Sequence, residues 1–326
     1  MRSTSMSQDL MDGLSNAQKS IPCRYYYDDL GSRLFEEQCK QPEYYLYRTE
    51  KKILERQSEK ILKACSVETF VDLGCGNCEK TEMFLRTSIS MMRYPLLNMI
   101  DINGLIVEEA SQRLSQTLPT LNTVKLVGDY AATIPMHAHR IEPSLFFFLG
   151  SNIGNMTDDE ILRFMNMCRT GMRDGDYILI GHDLDKDPAL LTAAYNDKNG
   201  VAAKTNLNVL SNLNNQYAGN IDISAFRHEA AYYPEGFTMK SHLVALRDTM
   251  FTLPKLKLTV SVKAGERILT EIERKFPMGY LEQLLELANF KLVEEFHDDN
   301  AWFAVSLFRD VCRNDRTVSG ASGLDG

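Results

Sequence analysis

The sequence has no apolar stretch approaching the roughly 18 to 20 residues that a membrane-spanning helix requires, and it has no block of lysine and arginine. Its 36 basic residues are outnumbered by 44 acidic ones, which gives a formal net charge of -8. Proteins that bind the phosphate backbone of nucleic acids present a basic surface instead. We therefore expect neither a membrane nor a nucleic acid as partner, and no feature indicates an obligate protein partner.

Secretory features are also lacking. The N-terminal residues contain no continuous apolar segment followed by a small-residue cleavage site, as a signal peptide would. The seven cysteines are an odd and scattered set in 326 residues, unlike the dense disulfide framework of small secreted proteins. We predict reduced thiols and a cytoplasmic location.

A complete set of metal ligands is missing as well. Cys75 and Cys78 form one Cys-x-x-Cys without a second pair at zinc spacing. The segments His137-Ala138-His139 and His182-Asp183 lie in polar, turn-like sequence without further ligands. We predict that the chain holds no metal ion.

What the sequence does contain, from Glu68 onward, is an alternation of short runs rich in valine, isoleucine, leucine and phenylalanine with longer amphipathic stretches. This pattern is typical of a parallel sheet covered by helices. It predicts an α/β fold with a doubly wound, Rossmann-like, mostly parallel sheet. The predicted strands are 69–73, 96–102, 124–127, 144–149 and 177–181.

The alternation stops after Asp187-Pro188. Residues 196–220 are rich in asparagine, which favours turns over long regular elements, so we predict an inserted subdomain here. Strand patterns then return, followed by a helix and a closing hairpin. The predicted strands are 238–246, 257–262 and 268–276, the helix is 280–288, and the hairpin joins 290–296 to 302–308.

These patterns predict a cofactor-binding core made of residues 56–190 and 280–312. Residues 13–55 and 191–279 are predicted to form a second, substrate-binding subdomain. Residues 313–326 are small, polar and glycine-rich, which predicts a flexible tail, and we expect the first dozen residues to be mobile too.

A glycine loop, Asp72-Leu73-Gly74-Cys75-Gly76-Asn77-Cys78, follows the first predicted strand. Gly74 and Gly76 allow a sharp turn and a close approach of the backbone to a ligand, and the next helix presents free amide groups. Taken alone the motif is weak, because such turns also serve only to pack a helix on a strand.

Acidic residues at the ends of the next two predicted strands support a nucleoside cofactor. Asp101 can accept hydrogen bonds from ribose hydroxyls, while Asp129 and Tyr130 can bond an adenine amine and stack on its ring. A nicotinamide-binding loop carries a third small residue, where this chain has Glu79-Lys80-Thr81. We therefore predict S-adenosylmethionine as the cofactor of a methyltransferase.

Several segments carry a resemblance to a known family. They are 25–32 (YYYDDLGS) with 34–35 (LF), 42–45 (PEYY) with 48–50 (RTE), 148–155 (FLGSNIGN), 183–187, 194–195, 208–210, and 269–271 (LTE) with 275–276 (KF). Over residues 22–309 the chain resembles the histidine-specific Nα-methyltransferases. The best-known members of that family convert histidine to its trimethyl betaine, hercynine, in ergothioneine synthesis.

The resemblance implies roles for individual residues. The implied cofactor contacts are Gly74, Gly76, Lys80, Asp101, Asp129 and Tyr130, and the implied substrate contacts are Tyr27, Tyr44, Asn155, Tyr195 and Glu271. Asn155 and Tyr195 offer neutral hydrogen bonds for an amino acid's carboxylate and amine. Because methyl transfer depends on positioning the amine, we expect Tyr27 and Asn155 to be the catalytic residues, and we assign no general base.

The sequence departs from the histidine enzymes at three places: Glu273 replaces a serine, Ser241 replaces a methionine and Thr205 replaces an aromatic residue. Glu271 and Glu273 alternate on a predicted strand, so both should face the substrate's side chain. Two close carboxylates share a proton or require a cationic partner, such as an imidazolium, guanidinium or ammonium group. Together with Ser241 they predict a wider and more polar pocket.

Histidine is therefore the first substrate to expect. The alternative is the same chemistry on another, basic or larger, amino acid or amine. A remote alternative is a non-catalytic protein that binds S-adenosylmethionine.

Overall fold

The structure, a computed structural model, describes residues 6–134 and 143–311. His137, His139 and the predicted tail lie outside these residues. The chain divides into two compact units, Met1–Tyr45 with Lys186–Lys275 and Leu46–Asp185 with Phe276–Gly326. Within the described ranges, no helix combines the length and the apolar character that a bilayer crossing requires.

The second unit contains the large sheet. Its strands are β1 Thr69–Leu73, β2 Leu96–Asp101, β3 Asn122–Val127, β4 Ser144–Phe148, β5 Tyr177–Asp183, β11 Phe290–His297 and β12 Phe303–Asp310. They are arranged in the order β11-β12-β5-β4-β1-β2-β3. The first five are parallel, and β12 runs antiparallel to both β5 and β11. The predicted doubly wound sheet and its closing hairpin are thus confirmed.

Helices cover both faces of this sheet. They are α3 Tyr45–Cys65, α4 Glu79–Ser90, α5 Gly104–Thr117, α6 Tyr130–Thr133, α7 Asp158–Gly171 and α10 Tyr280–Glu286. On one face Phe148 contacts Phe164 of α7, with ring centroids 4.4 Å apart. On the other, Phe147 contacts Phe84 of α4 at 4.9 Å. Every residue of β4 is buried, as expected of a central parallel strand.

Helix α3 explains why the unit boundary differs from the predicted one. The predicted limit between residues 55 and 56 falls inside this helix, whereas the units divide at its first residue, Tyr45. A continuous helix is held together by its own backbone hydrogen bonds, so all of α3 after Tyr45 belongs to one compact unit.

The first unit is built from an antiparallel sheet, a hairpin and helices. Its elements are α1 Met6–Ser15, α2 Asp29–Cys39, α8 Pro188–Ala194, α9 Val201–Tyr217, β6 Phe226–Tyr233, β7 Thr238–Ala245, β8 Thr249–Leu253, β9 Leu258–Val262 and β10 Arg267–Arg274. The sheet has the order β10-β7-β6, and β8 pairs with β9. Strands β6 and β8 were not predicted from the sequence.

The prediction that residues 196–220 lack long regular structure is wrong, because α9 occupies 17 of them. Two of its asparagine side chains bond distant segments instead of their own backbone. The Asn208 amide donates to the Asp28 carboxylate at 2.8 Å, and the Asn212 amide donates to the Tyr25 carbonyl at 2.8 Å. These tertiary bonds remove the local competition that makes asparagine a poor helix former.

The expectation that the first dozen residues are mobile is also wrong for residues 6–12, which belong to α1. Leu10 and Leu14 lie four positions apart, on one face of the helix, and both are buried in the core of the first unit. An ion pair between Arg24 and Asp9 at 2.7 Å adds a polar attachment.

Candidate active site

The glycine loop connects β1 to α4 at the carboxyl end of the parallel strands. Gly74 and Gly76 have φ angles of 75° and 49°, which glycine adopts without a steric penalty. The N–H groups of Gly74 and Cys75 both donate to the carbonyl of Ile100, at 2.8 and 3.0 Å. A Cβ atom placed on Gly76 would meet nothing within 4 Å. The loop is therefore tied to β2 on one side and open at Gly76.

Asp101, at the end of β2, holds this loop in place. One carboxylate oxygen accepts from the Gly76 N–H at 2.9 Å and the other accepts from the Asn103 N–H at 2.9 Å. Burial raises the pKa of Asp101, while these backbone bonds act in the opposite direction. The structure thus brings the predicted ribose contact directly against the loop.

Asp129 and Tyr130 follow β3, at the same carboxyl end of the parallel strands as the glycine loop. The Tyr130 ring packs edge-on against Phe148 and Phe164, with centroids 5.9 and 6.0 Å apart. A Cβ atom on Gly74 would lie 3.8 Å from the Tyr130 ring. Asp129 is exposed. Crevices at the carboxyl ends of parallel strands are the usual ligand sites of such sheets.

Glu50 is a buried residue of this region that sequence reasoning missed. Its carboxylate accepts from Lys80 Nζ at 2.7 Å and from the Gly150 N–H at 2.8 Å, and the residue is 0% exposed. Gly181 leaves room for it, since a Cβ there would lie 1.9 Å from Glu50 Oε1. The signal was present in the motif 48–50, to which no role was assigned.

Asn155 belongs to the same unit as the glycine loop. It ends the 3-10 turn Asn152–Asn155, which follows β4, and it is partly buried. The amide of Asn152 donates to the Leu149 carbonyl at 2.8 Å, and Ser151 Oγ accepts from the Asp183 N–H at 3.1 Å. These bonds attach the start of the turn that carries Asn155 to the residue after β4 and to the end of β5.

In the first unit, Glu271 and Ser241 lie opposite each other on β10 and β7. The Ser241 hydroxyl donates to the Glu271 carboxylate at 3.3 Å. Burial raises the pKa of Glu271 to about 7, against the opposing effects of Lys275 and Ser241. A small cavity adjoins the pair; its lining residues are Tyr26, Gln38, Tyr195, Ala202, Asn206, His228, Ser241 and Glu271.

Glu273 is buried beside a lysine of the same strand end. Lys275 Nζ lies 3.8 Å from Glu273 Oε1, and both side chains are almost completely shielded from solvent. The chain itself therefore supplies a cationic partner beside Glu273, so the cation predicted for the two carboxylates need not come from the substrate. Sequence reasoning missed Lys275 although it continues the alternation of 271 and 273.

The predicted substrate tyrosines form one aromatic cluster with Phe35. The rings of Tyr27 and Phe35, Phe35 and Tyr44, and Tyr44 and Tyr195 meet edge-on with centroids 6.0, 6.1 and 6.2 Å apart. Burial raises the pKa of Tyr44 well above its ordinary value, and the charges of Cys39, Glu273 and Glu271 act in the same direction. Its hydroxyl consequently stays protonated.

A polar network adjoins this cluster at Tyr195. The Asn206 amide donates to His228 Nδ1 at 2.8 Å, and His228 Nε2 lies 3.0 Å from the Tyr195 carbonyl. Burial lowers the pKa of His228, so the ring is neutral with its proton on Nε2. Tyr26 Oη lies 2.9 Å from Asn206 Oδ1. Thr205 instead bonds the Val201 carbonyl of its own helix at 3.0 Å.

The cysteines of the glycine loop are buried thiols. Their mutual hydrogen bond and burial raise the pKa of Cys75. The same bond lowers the pKa of Cys78, but burial and nearby carboxylates raise it overall. Over residues 6–134 and 143–311, no three histidine, cysteine, aspartate or glutamate side chains are grouped to hold a metal ion. His182 lies 2.9 Å from the Ser306 hydroxyl.

The predicted contacts thus fall into two groups. The implied cofactor residues and Asn155 belong to the second unit, and the implied amino-acid residues Tyr27, Tyr44, Tyr195, Ser241, Glu271 and Glu273 belong to the first. A profile of the S-adenosylmethionine-dependent, histidine-specific methyltransferases matches residues 6–310. The chain belongs to this family.

Individual relatives agree with the family profile. The histidine N-alpha-methyltransferase of Mycobacterium tuberculosis is 33% identical over 308 residues, which cover 93% of this chain and 94% of that one. Its counterpart in Mycolicibacterium smegmatis is 32% identical over 303 residues, with 93% and 94% covered. Ergothioneine biosynthesis protein 1 of Schizosaccharomyces pombe is 26% identical over 291 residues, 85% of this chain and 37% of that protein.

The protein is therefore an S-adenosylmethionine-dependent methyltransferase. The residues present fit this cofactor. Gly76 leaves open space beside the loop, Tyr130 places an aromatic ring next to Gly74, and Asp101 is held at the loop. Each of these is a feature that a nucleoside ligand requires.

Proposed function

We propose that this methyltransferase methylates the α-amine of an amino acid, with histidine as its substrate and the trimethyl betaine hercynine as its product. The observation that carries the proposal is the pair formed by the half-buried Glu271 and the buried Ser241, which lies beside Tyr195 at the small cavity of the first unit. The relatives named as histidine N-alpha-methyltransferases support it.

We propose that the cofactor is held by Gly74, Gly76, Lys80, Asp101, Asp129 and Tyr130. When bound, S-adenosylmethionine supplies a methyl group on a positively charged sulfur. The neutral thioether that remains after methyl transfer is a good leaving group. Asp101 faces the loop with its oxygens already oriented by two backbone N–H groups. Lys80 is held by the buried carboxylate of Glu50. The loop residues would therefore bind the cofactor without a large rearrangement of their own side chains.

On the amino-acid side, we propose that Asn155 and Tyr195 bond the carboxylate and the amine, while Tyr27 and Tyr44 form the wall of the chamber. The Asn155 amide and the Tyr195 hydroxyl are neutral, so they orient the amine without adding a competing charge. Methyl transfer requires an unprotonated amine at near-attack distance and angle, so correct orientation accounts for much of the rate. Tyr27 and Asn155 are the proposed catalytic residues in this sense.

The imidazole of histidine suits the Glu271 carboxyl group. A carboxyl whose pKa is raised to about 7 matches an imidazole with an ordinary value of about 6.5. The two groups would share one proton, so their hydrogen bond would persist whichever of them carries it. Glu273 adds a second carboxylate, but Lys275 offsets its charge. This compensation favours histidine over the strongly basic amino acids.

One observation favours the second candidate, the same chemistry on a larger amino acid. Ser241 is small where the histidine enzymes carry a methionine, and it uses its hydroxyl to bond Glu271. A shorter side chain leaves more volume beside the substrate's side chain.

The test is incubation of the purified protein with S-adenosylmethionine and each standard amino acid, followed by mass analysis for added methyl groups. Histidine should give methylated products, and Glu271→Gln should reduce their formation far more than Glu235→Gln, which changes an exposed carboxylate of the same unit. Methylation of another amino acid in preference to histidine would establish the second candidate. A protein that methylates none of them would refute both.

A further inference from the structure

Lys275 is a fully buried lysine in the first unit, at the end of β10. Lysine side chains are almost never fully buried unless they are paired. The Lys275 ammonium donates a hydrogen bond to the Tyr195 hydroxyl at 2.8 Å and lies 3.8 Å from the Glu273 carboxylate. Its backbone N–H donates to the Phe237 carbonyl at 2.6 Å, which holds the residue in position.

The direction of the hydrogen bond to Tyr195 is fixed by chemistry. An ammonium group has three donors and no acceptor, so the Tyr195 oxygen must act as the acceptor. A hydroxyl that accepts from a lysine directs its own proton toward a different acceptor. Because the donor is charged, it polarises the hydroxyl and strengthens the bond that the hydroxyl then donates.

The rest of Tyr195 has contacts besides Lys275, whose ammonium also lies 4.8 Å from the centre of the Tyr195 ring. Its ring meets Tyr44 edge-on, with centroids 6.2 Å apart, and its carbonyl lies 3.0 Å from His228 Nε2. Replacement of the lysine would therefore change the hydroxyl of Tyr195 while leaving its ring and backbone in place.

We propose that Lys275 is a positioning residue that acts through Tyr195. Its ammonium orients and polarises the Tyr195 hydroxyl so that this hydroxyl donates to the carboxylate of the amino-acid substrate. Glu273 keeps the ammonium in place and balances its charge. The inference rests on the proposed function, and it assigns Glu273 to the support of Lys275 instead of to contact with the substrate.

A purely structural role would make a different prediction. If Lys275 only neutralised Glu273, removal of both charges together would restore normal kinetics, since no buried charge would be left uncompensated. If Lys275 polarises Tyr195, the same double substitution would leave substrate binding impaired although the fold is intact.

The experiment compares the Michaelis constant for the amino acid in Lys275→Met/Glu273→Ser, Tyr195→Phe and the variant with all three changes. The double variant should raise this constant about tenfold, the size of effect expected from a hydrogen bond worth about 1.4 kcal/mol, with a smaller change in kcat. Its melting temperature and its affinity for S-adenosylmethionine should remain close to normal. The triple variant should be no worse than Tyr195→Phe, because Lys275 acts through that hydroxyl.

The matched control is Lys263→Met/Asp248→Ser, which removes an exposed ion pair of 2.9 Å from the same unit and should leave the kinetics unchanged. An unaltered Michaelis constant in Lys275→Met/Glu273→Ser would overturn the proposal. So would a triple variant whose increase in the Michaelis constant equals the product of the increases in the double variant and in Tyr195→Phe. If the double variant does not fold, Lys275→Gln/Glu273→Gln replaces the ion pair by two neutral polar amides. That variant should also raise the constant, and a normal value would contradict the proposal.

The failure of this inference is distinguishable from failure of the proposed function. A wild-type protein that methylates no amino acid refutes both. A wild-type protein that is active, with variants whose Michaelis constants are normal, refutes the role of Lys275 alone.

Discussion

The pH dependence of stability should reveal that Glu271 is retained at a cost to the fold. Its pKa is raised from 4.5 to about 7 by burial. The folded protein therefore binds a proton more tightly at this position than the unfolded chain does. Between pH 4.5 and 7 the folded state holds more protons, so the free energy of unfolding falls as the pH rises. The stabilisation is present below pH 4.5 and is lost by about pH 7.

The magnitude follows from the size of the shift. Each pKa unit corresponds to 1.36 kcal/mol, so a shift from 4.5 to about 7 amounts to about 3 kcal/mol. Glu271→Gln removes the titrating group but keeps a side chain of similar shape that can still accept from Ser241. At pH 8 this variant should therefore be more stable than the wild-type protein by up to about 3 kcal/mol, whereas at pH 4.5 the difference should be small.

The assay is urea denaturation of wild-type protein and Glu271→Gln across pH 4.5 to 8. Glu235→Gln is the control, since its carboxylate is exposed and its replacement should not alter the pH dependence. The reasoning is refuted if the stability difference between wild type and Glu271→Gln stays constant with pH. A gain in stability at pH 8 that accompanies lost methylation would show that the carboxylate is retained for function.

Two further predictions concern the second unit. Asn155→Ala should lower kcat/KM for the amino acid by roughly a hundredfold or more while S-adenosylmethionine affinity, measured by calorimetry, stays normal; lost cofactor affinity with normal amino-acid binding would contradict its role. Glu50→Gln should weaken S-adenosylmethionine binding by roughly ten- to a hundredfold, because Lys80 loses a charge-assisted bond. The control Glu59→Gln, which removes an exposed ion pair on the same helix, should leave S-adenosylmethionine affinity unchanged. An equal loss of affinity in Glu50→Gln and Glu59→Gln would exclude a specific role for Glu50.

Much of the fold was predictable because its signals are local. The parallel strands were found from short, mainly apolar runs, which are clearest in a central strand such as Ser144–Phe148 because it is buried on both faces. The glycine loop and Asp101 were also predictable, because each follows directly from the end of a strand. The structure adds that the Asp101 carboxylate bonds the loop's own backbone.

The errors occur where long-range contacts override local preference. Asparagine favours turns, yet Asn208 lies in a long helix because its amide reaches Asp28, 180 positions earlier in the chain. A clearer signal was the spacing of Val209, Leu210 and Leu213, all fully buried on one face of α9. Here helical periodicity should have been weighted above residue preference.

The same distinction explains the missed polar residues. Glu50 contacts Gly150, 100 positions later, and Lys275 contacts Tyr195, 80 positions earlier, so neither partner is visible in a local motif. A positive charge close to Glu271 and Glu273 was nonetheless inferable, because residues 271, 273 and 275 are spaced two apart and residues at this spacing share one face of a strand. The two carboxylates that suggested a cationic substrate are in fact followed on the same strand end by the lysine that neutralises one of them. In the proposed function, the substrate's side chain meets one carboxylate, Glu271, whose pKa of about 7 lies close to that of an imidazole.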